Sequence, residues 1–390
     1  MDDLGAIVLD NGSGSIKVGF SGEDTPRGIV SSMYGVTRQP DGSKRDSYVG
    51  KACHAAALSR DALDIVEPNQ RGAIVDWDAM EKVWDYTFEH EMRMNPDALN
   101  MPILYTTSTS TSTATINKQQ LQRTAQLMFE TYKATAFYTM QPSVLSLFAS
   151  GRTRGLVLES GHGSSHAVPI FEGYALPHAT LHLDVGGMDI TKHLELLLTK
   201  HGHALKTFSQ NLFADMKESV CSTLSLHGDK QQQQQHVGAK AFELPDGTVV
   251  SIHGDCRTKA TDVLLDPNLL PDDHPAKQAK SLPDLACQAV SMCDKELQKD
   301  LRAAVVLAGG TTMIPGLSQR LHEELTKQLD EPLRIVPDYT MRERGYNTHR
   351  KIAAWIGGSM FASLPTFQDM QITRQEWEEN QESIFERKCF

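Results

Sequence analysis

Cysteine is scarce in this chain of 390 residues, and its six cysteines show no C-x-x-C spacing. Disulfide frameworks and cysteine-based zinc sites depend on closely spaced cysteines, so this distribution argues against both. It predicts free thiols in a reducing compartment. The six are Cys53, Cys221, Cys256, Cys287, Cys293 and Cys389.

Long apolar runs and an excess of positive charge are also lacking. No segment approaches the ~18 consecutive apolar residues that predict a membrane span. Residues 1–3 are acidic and precede only a short apolar run, unlike a signal or transit peptide. The net charge of −11 argues against direct contact with nucleic acid or anionic membranes. We therefore expect a cytoplasmic protein. Its 40% hydrophobic residues are enough for apolar cores, and its length predicts two domains or one bilobal unit.

The first distinctive pattern is a glycine-rich hairpin over residues 5–20. Apolar residues 5–9 predict a buried strand that ends at Asp10, and residues 16–20 predict a second strand. The turn between them carries glycines, hydroxyl groups and the cation of Lys17, which together can cradle phosphates. Common phosphate-binding motifs lead from a strand into a helix, whereas this loop leads into another strand. A tight hairpin with no ligand explains this single copy equally well.

A second copy of the pattern lies at residues 155–171. Glu159 stands where Asp10 stands in the first copy, and Gly161 and Gly163 match the two glycines of the first turn. Repeated units of this kind predict two similar domains that face each other, with phosphates held between them. Two acids at matching positions can hold a hydrated Mg²⁺, since hard cations take oxygen ligands.

From about residue 5 to the C-terminus the chain resembles actin and the actin-related proteins. Several long stretches carry the resemblance: residues 10–14 with 17–20, residues 168–179, residues 309–313 with 315–316, residues 355–359, and Lys388-Cys389-Phe390. The resemblance implies the duplicated α/β fold shared by actin, Hsp70 and the sugar kinases, with two lobes of mixed sheets and helices around a nucleotide cleft. It implies a first lobe of residues 1–150 and 351–390, whose small outer subdomain covers about 29–71. The second lobe would be residues 151–350, with an outer subdomain at about 188–280.

The resemblance also implies ATP or ADP with Mg²⁺ as ligands. Asp10 and Glu159 would hold the metal through water. The residues expected to bind the nucleotide are Gly12, Ser13, Gly14, Ser15, Lys17, Gly161, His162, Gly163, Ser164, Ser165, Gly187, Lys217, Glu218, Gly309, Gly310, Thr311, Met313 and Lys351. The helix over 317–329 is expected to start from Gly309–Thr311 and to favour an anion at its N-terminus.

The chain departs from actin where actin handles the attacking water. Pro142 occupies the position of the catalytic glutamine, and Gln141 lies one residue early. His162 replaces an acid, while His166 matches the family's water-positioning histidine. Water-positioning groups contribute ~10²–10⁴ in rate, so we expect nucleotide binding with weak or absent hydrolysis. A transition-metal site at Glu159, His162 and His166 is a less favoured alternative.

Two further departures lie near the cleft. Arg71 stands where actin has a histidine near the γ-phosphate, and this change either alters phosphate release or is only a surface change. Met188 replaces an arginine that contacts the neighbouring hairpin, which predicts a looser cleft. The Ser/Thr run at 106–113 is expected to be a solvated or β-edge loop, and the glutamine tract at 231–235 a disordered loop. The loop at 39–43 is either a trimmed surface loop or, by the resemblance, a weakened longitudinal contact between filament subunits.

Three functions compete at this point. The favoured one is a structural subunit of a filament or of a larger cytoskeletal or motor-associated assembly. The alternative is a dynamic filament subunit that hydrolyses ATP, and the least favoured is a sugar kinase or chaperone on the same fold. In the first two, partners are other actin-like subunits, or a helix bound in an apolar cleft near Phe148, Thr153, Ile356 and Phe361.

Overall fold

The computed structural model describes residues 5–38, 44–59, 63–107, 114–202, 210–226, 238–329, 331–338 and 344–389. The predicted loops at 39–43 and 231–235, and most of the Ser/Thr run at 106–113, lie outside these ranges. All six cysteines are free, as predicted. Within the described residues, no helix combines the length and hydropathy needed to cross a membrane.

The first lobe is built on a six-stranded sheet in the order β19-β10-β9-β1-β2-β3. Its hairpin is the predicted one, because β1 pairs with β2 in antiparallel register and places Asp10 opposite Lys17. β9 lies parallel to β1 on the other side. Its strands are β1 (Ile7–Asn11), β2 (Ser15–Phe20), β3 (Gly28–Ser31), β9 (Ile103–Thr106), β10 (Ala136–Met140) and β19 (Ile372–Thr373).

The second lobe repeats this arrangement. β11 pairs antiparallel with β12 and parallel with β17, just as β1 pairs with β2 and β9. The path is β13-β12-β11-β17-β18, and β14 also pairs with β12. The predicted duplicated α/β architecture is therefore confirmed. The strands are β11 (Gly155–Ser160), β12 (Ser165–Phe171), β13 (Tyr174–Ala175), β14 (Leu181–Leu183), β17 (Val305–Ala308) and β18 (Ile335–Val336).

Smaller sheets lie outside the two central ones. β4 is the middle strand of a three-stranded antiparallel sheet with β5 and β6, and β7–β8 and β15–β16 form two-stranded ribbons. These strands are β4 (Tyr34–Arg38), β5 (Lys44–Val49), β6 (Leu63–Val66), β7 (Asn69–Gln70), β8 (Ala73–Ile74), β15 (Lys240–Glu243) and β16 (Val249–Ile252).

Helices cover both central sheets. They are α1 (Gly50–Ser59), α2 (Trp77–Tyr86), α3 (Ala114–Glu130), α4 (Pro142–Ala149), α5 (Gly187–Lys200), α6 (Gln210–Val220), α7 (Gly254–Lys259), α8 (Leu282–Ser291), α9 (Lys295–Ala303), α10 (Leu317–Leu329), α11 (Arg344–His349), α12 (Ala353–Ala362), α13 (Phe367–Met370), α14 (Arg374–Asn380) and α15 (Phe385–Lys388). A π-helical turn, Thr87–Glu91, continues α2.

Each lobe has its own apolar core. In the first lobe, large aromatic side chains such as Trp84, Phe88 and Phe137 are fully buried. In the second, Phe213 and Leu194 are buried among the residues of α5, α6 and α8. Helices α4 and α12 pack closely, since a Cβ added at Gly357 would lie only 1.8 Å from the Leu145 carbonyl oxygen. Glycine at this position allows the two helices to approach.

The helix predicted over 317–329 is confirmed as α10, and a 3₁₀ turn, Gly310–Met313, lies between β17 and this helix, so Gly309–Thr311 are not part of it. Two other helical segments are each broken, one between α8 and α9 and one between α14 and α15. The second breaks at Gln381, whose φ of 44° lies outside the helical region.

Candidate functional site

A cavity of about 580 Å³ lies where the two hairpin loops meet, within the size range of small-molecule sites. With one exception, every residue predicted to bind the nucleotide or the metal lines this cavity. They are Asp10, Gly12, Ser13, Gly14, Ser15, Lys17, Glu159, Gly161, His162, Gly163, Ser164, Gly187, Lys217, Glu218, Gly309, Gly310, Thr311, Met313 and Lys351, and they are joined by Pro142 and His166.

The exception is Ser165, which was predicted to bind the nucleotide but does not line the cavity. Ser165 begins β12 and is fully buried. Its hydroxyl donates to the Val185 carbonyl at 2.7 Å and lies 2.8 Å from the Ser160 hydroxyl. Successive side chains of a strand point to opposite faces, so Ser164 and His166 reach the cavity while Ser165 points into the lobe.

The first loop is fixed by side chains of its own lobe. The Asn11 amide donates to the Tyr105 hydroxyl at 2.9 Å and accepts from the Trp84 indole at 3.1 Å, which anchors the end of β1. Ser32 donates to the Gly12 carbonyl at 2.7 Å. The Lys17 ammonium lies 3.2 Å from Asp10 Oδ2 and faces the cavity beside the glycine turn. A cation is thereby placed where phosphates would sit.

The second loop packs directly against the first. A Cβ added at Gly14 would lie 2.7 Å from His162 Cβ and 2.8 Å from His162 Cγ. The second turn is closed by the Gly161 amide, which donates to the Ser164 carbonyl at 2.9 Å. Burial lowers the pKa of His162 to about 4, so the imidazole is neutral at pH 7. The two hairpins thus face each other across the cavity, as the repeat predicted.

Two acids, one from each hairpin, lie close together at the cavity. Thr106 donates to Asp10 Oδ1 at 2.9 Å, and Ser143 donates to Glu159 Oε2 at 2.5 Å. Burial raises the pKa of Glu159 to about 7, and the charge of Asp10 contributes to the increase. A divalent cation would relieve this repulsion, so the two acids fit a hydrated Mg²⁺.

A transition-metal site is not supported. Among the residues that the structure describes, no group of three or more His, Cys, Asp or Glu side chains is arranged to hold a metal ion. The His166 ring nitrogens instead contact Ser164 Oγ at 3.1 Å and His182 Nδ1 at 3.3 Å. His182 in turn lies 2.7 Å from Asp184 Oδ1. Burial lowers the pKa of His166 to about 3, which keeps its ring neutral.

The position of the family's water-orienting glutamine lacks a polar side chain. Pro142 is the first residue of α4 and lines the cavity. Proline suits a first helical turn, where its missing N–H is not needed, but it can neither donate to nor accept from a water through its side chain. Gln141 occupies the N-cap position of α4 and does not line the cavity. The glutamine has therefore not simply moved by one residue.

The far end of the cavity has the residues expected at the nucleoside. Gly309 has a φ of 86° and starts the 3₁₀ turn that brings Thr311 and Met313 to the wall. Lys351 and Glu218 pair across the mouth at 3.5 Å. The Lys217 ammonium is directed into the protein, where it donates to the Gly187 carbonyl at 2.9 Å and to Thr191 at 3.0 Å.

Arg350 also lines the cavity, although it was not among the predicted site residues. It is 7% exposed, and its Nε lies 3.1 Å from the thioether of Met313. Within the described part of the chain, no carboxylate lies within 4 Å of its guanidinium. Burial lowers the pKa of Arg350 to about 10. Its place directly before Lys351 was the available signal.

An apolar surface lies away from the nucleotide cavity. Phe148 and Phe361 stack with their ring centroids 6.1 Å apart, and both are half-buried. Ile356 is half-buried beside them, and Thr153 is exposed. Met360 in α12 and Leu364 just after it are apolar side chains that are 51% and 50% exposed. The predicted partner residues are thus at least partly accessible.

Comparison with known families agrees with the repeat, the paired hairpins and the cleft. The family model for actin matches residues 1–390, the whole chain. Membership indicates a cytoskeletal protein that interacts with actin-like subunits in general. The chain therefore belongs to the actin family.

Proposed function

We propose that this protein binds ATP or ADP with Mg²⁺ in the cleft and serves mainly as a structural subunit, with weak or absent hydrolysis. The observation that carries the proposal is the meeting of the two glycine hairpins, Gly14 against His162, around a cavity that Lys17 faces. Loop amides and hydroxyl groups offer donors to phosphate oxygens, and the lysine offers charge. Adenine as the base is inferred from family membership.

Asp10 and Glu159 would hold Mg²⁺ through water molecules. When bound, the metal would neutralise phosphate charge and favour attack on the terminal phosphate. The protein's own contribution is to place two acids on facing loops and to hold each with a hydroxyl donor, Thr106 or Ser143. This arrangement supports binding of a metal–nucleotide complex.

Slow hydrolysis is supported by the groups that would orient water. Pro142 presents no donor or acceptor to the cavity. Both ring nitrogens of His166 already contact protein groups, Ser164 and His182. His162 supplies a neutral imidazole where the family carries an acid. Each missing contribution of this kind is worth ~10²–10⁴ in rate.

The structural-subunit proposal is supported by the apolar surface at Phe148, Ile356 and Phe361. Half-buried aromatic and aliphatic groups on one surface suit the apolar face of an amphipathic partner helix. Such a helix would belong to another component of a cytoskeletal or motor-associated assembly. In this proposal the nucleotide stabilises the fold rather than powering a cycle.

The decisive experiment is single-turnover hydrolysis of ATP bound to the purified protein. We expect bound ATP to persist for hours, and a Pro142→Gln variant to hydrolyse it faster. Hydrolysis by the wild type at the rate of actin, measured alongside, would refute the proposal. The alternative, a dynamic ATP-hydrolysing filament subunit, is favoured by the complete set of cavity-lining glycines and Lys17. Nucleotide-dependent sedimentation of filaments would support it.

A further inference from the structure

Arg71 lies in a tight turn between β7 and β8, at the phosphate end of the cleft. Its φ of 51° is in the left-handed region, which is unfavourable for a residue with a side chain. Its side chain is 20% exposed although it is charged. Residues kept in such conformations are held by their surroundings and often mark functional positions. The interpretation of Arg71 as only a surface change is wrong.

The Arg71 guanidinium crosses from the first lobe to the second. Its Nη1 donates to the Gly163 carbonyl at 2.7 Å and to the Asp184 carbonyl at 2.5 Å. Its Nη1 and Nη2 donate to the two carboxylate oxygens of Asp189, at 3.2 and 2.8 Å. The forked guanidinium geometry matches such a two-oxygen acceptor. Its Nη2 also lies 3.0 Å from His274 Nε2, so one side chain contacts four residues of the opposite lobe.

The acceptor carboxylate is itself held firmly. The Asp189 side chain is only 1% exposed, and it also accepts from the Gly186 amide at 2.8 Å at the start of α5. The Ala276 amide donates to His274 Nδ1, and His274 Nε2 lies 3.0 Å from both Asp189 Oδ1 and Arg71 Nη2. A buried carboxylate with these donors is fixed in place to receive Arg71.

The same turn is also tied to the first phosphate loop. The Gly72 amide donates to Ser13 Oγ at 2.9 Å, and Ser13 donates to Asn69 at 3.1 Å. Asn69 donates to the Asn11 carbonyl at 3.0 Å. A Cβ added at Gly163 would lie 2.8 Å from Arg71 Cα, so the second loop touches the turn as well. The turn therefore connects both hairpin loops.

These contacts change the expectation drawn from Met188. By the resemblance, the position of Met188 in the second lobe is expected to hold an arginine, and its replacement by methionine predicted a looser cleft. Here a guanidinium from the first lobe reaches across instead, and it binds Asp189, the residue directly after Met188. This contact spans the two lobes.

We propose that Arg71 is a latch that holds the two lobes together at the phosphate end of the cleft even without a ligand. A closed phosphate end also slows the release of a bound nucleotide, and this second consequence rests on the function proposed above. Opening requires the guanidinium to leave Asp189 and two carbonyl oxygens together, which makes opening rare.

The test is hydrogen–deuterium exchange on the nucleotide-free full chain, followed in peptides that cover residues 69–76 and 184–190. Arg71→Met removes the guanidinium, and Arg71→Lys keeps the charge but loses the fork. Arg320→Met is the matched control, because Arg320 is 19% exposed and its carboxylate partner, Glu324, lies in its own helix. Release of an etheno analogue of ATP is then timed for each protein.

We expect the exchange rate in both peptides to rise about tenfold or more in Arg71→Met. Loss of one hydrogen bond to a charged group is enough to give a change of this size. Arg71→Lys should be intermediate, and Arg320→Met should match the wild type. Exchange in Arg71→Met within about twofold of the wild type would overturn the latch. If Arg71→Met does not fold, the comparison of Arg71→Lys with Arg320→Met decides. If the wild type binds no nucleotide, the proposed function fails, while the exchange data still test the latch.

Discussion

The contact between the two hairpins can be tested at Gly14. A Cβ at this position would lie 2.7 Å from His162 Cβ, a separation that real Cβ atoms do not show. The neighbouring atoms belong to the backbone-proximal part of His162, so the clash cannot be relieved by moving a flexible chain end. Gly14→Ala should therefore push the two loops apart. Gly161→Ala is the matched control, because its nearest neighbour would be the Ser164 carbonyl oxygen at an ordinary 3.6 Å.

The magnitude follows from the cost of overpacking. Extra methyl groups in well-packed sites cost roughly 1–3 kcal/mol. Since 1 kcal/mol corresponds to about 2–4 °C in domains of 150–250 residues, Gly14→Ala should lower the melting temperature by roughly 2–12 °C. Gly161→Ala should stay within about 0.5 kcal/mol of the wild type, as substitutions without a clash or lost contact do.

The assay is thermal unfolding of the nucleotide-free protein, so that ligand contacts do not enter the comparison. The double variant Gly14→Ala/His162→Gly moves the Cβ from one loop to the other and should recover much of the lost stability. Such a recovery measures the coupling between the two sites directly. Equal melting temperatures for Gly14→Ala and Gly161→Ala would show that the loops do not meet as described.

Further predictions concern water, charge and pH. Pro142→Gln should raise single-turnover ATP hydrolysis at least about tenfold by restoring an amide at the water position, whereas Gln141→Ala should not change it. Arg350→Met should weaken ADP binding about tenfold in calorimetric titration. The buried Arg350 guanidinium has no carboxylate partner among the described residues and is therefore expected to pair with a phosphate of the nucleotide. The control variant Arg320→Met should bind ADP as the wild type does. Because the pKa of His166 is lowered to about 3, its neutral ring favours folding above its ordinary pKa of 6.5, and this contribution is lost as the pH falls below 6.5. At pH 5.5 this lowers the free energy of unfolding by about 1.4 kcal/mol. The denaturant midpoint of His166→Gln should therefore depend less on pH between about 7.5 and 5.5 than that of the wild type. An unchanged pH dependence would contradict the lowered pKa of His166.

The features of the fold that could be predicted are formed by residues that lie close together in the sequence. Each glycine hairpin lies within about twenty residues, and its apolar strands, acid and turn are visible in the chain. The repeat then predicted that two such units face each other, and the contact of Gly14 with His162 agrees. Pro142 at the first turn of a helix is likewise a local feature.

The remaining features depend on contacts that are distant in sequence. Arg71 reaches Gly163, Asp189 and His274, and no local pattern links these positions. Ser165 was included because its neighbours line the cavity, but the alternation of β12 turns it inward. Gln381 breaks the C-terminal helix with a φ of 44°, although its residue type does not predict a break.

The most direct test of the account is the nucleotide content of the purified protein, read by chromatography after denaturation. We expect stoichiometric ATP or ADP that is removed by chelating Mg²⁺, with a higher melting temperature when Mg-ATP is added back. Protein that carries no nucleotide and shows no thermal shift with Mg-ATP would contradict the claim that the paired hairpins form a nucleotide site.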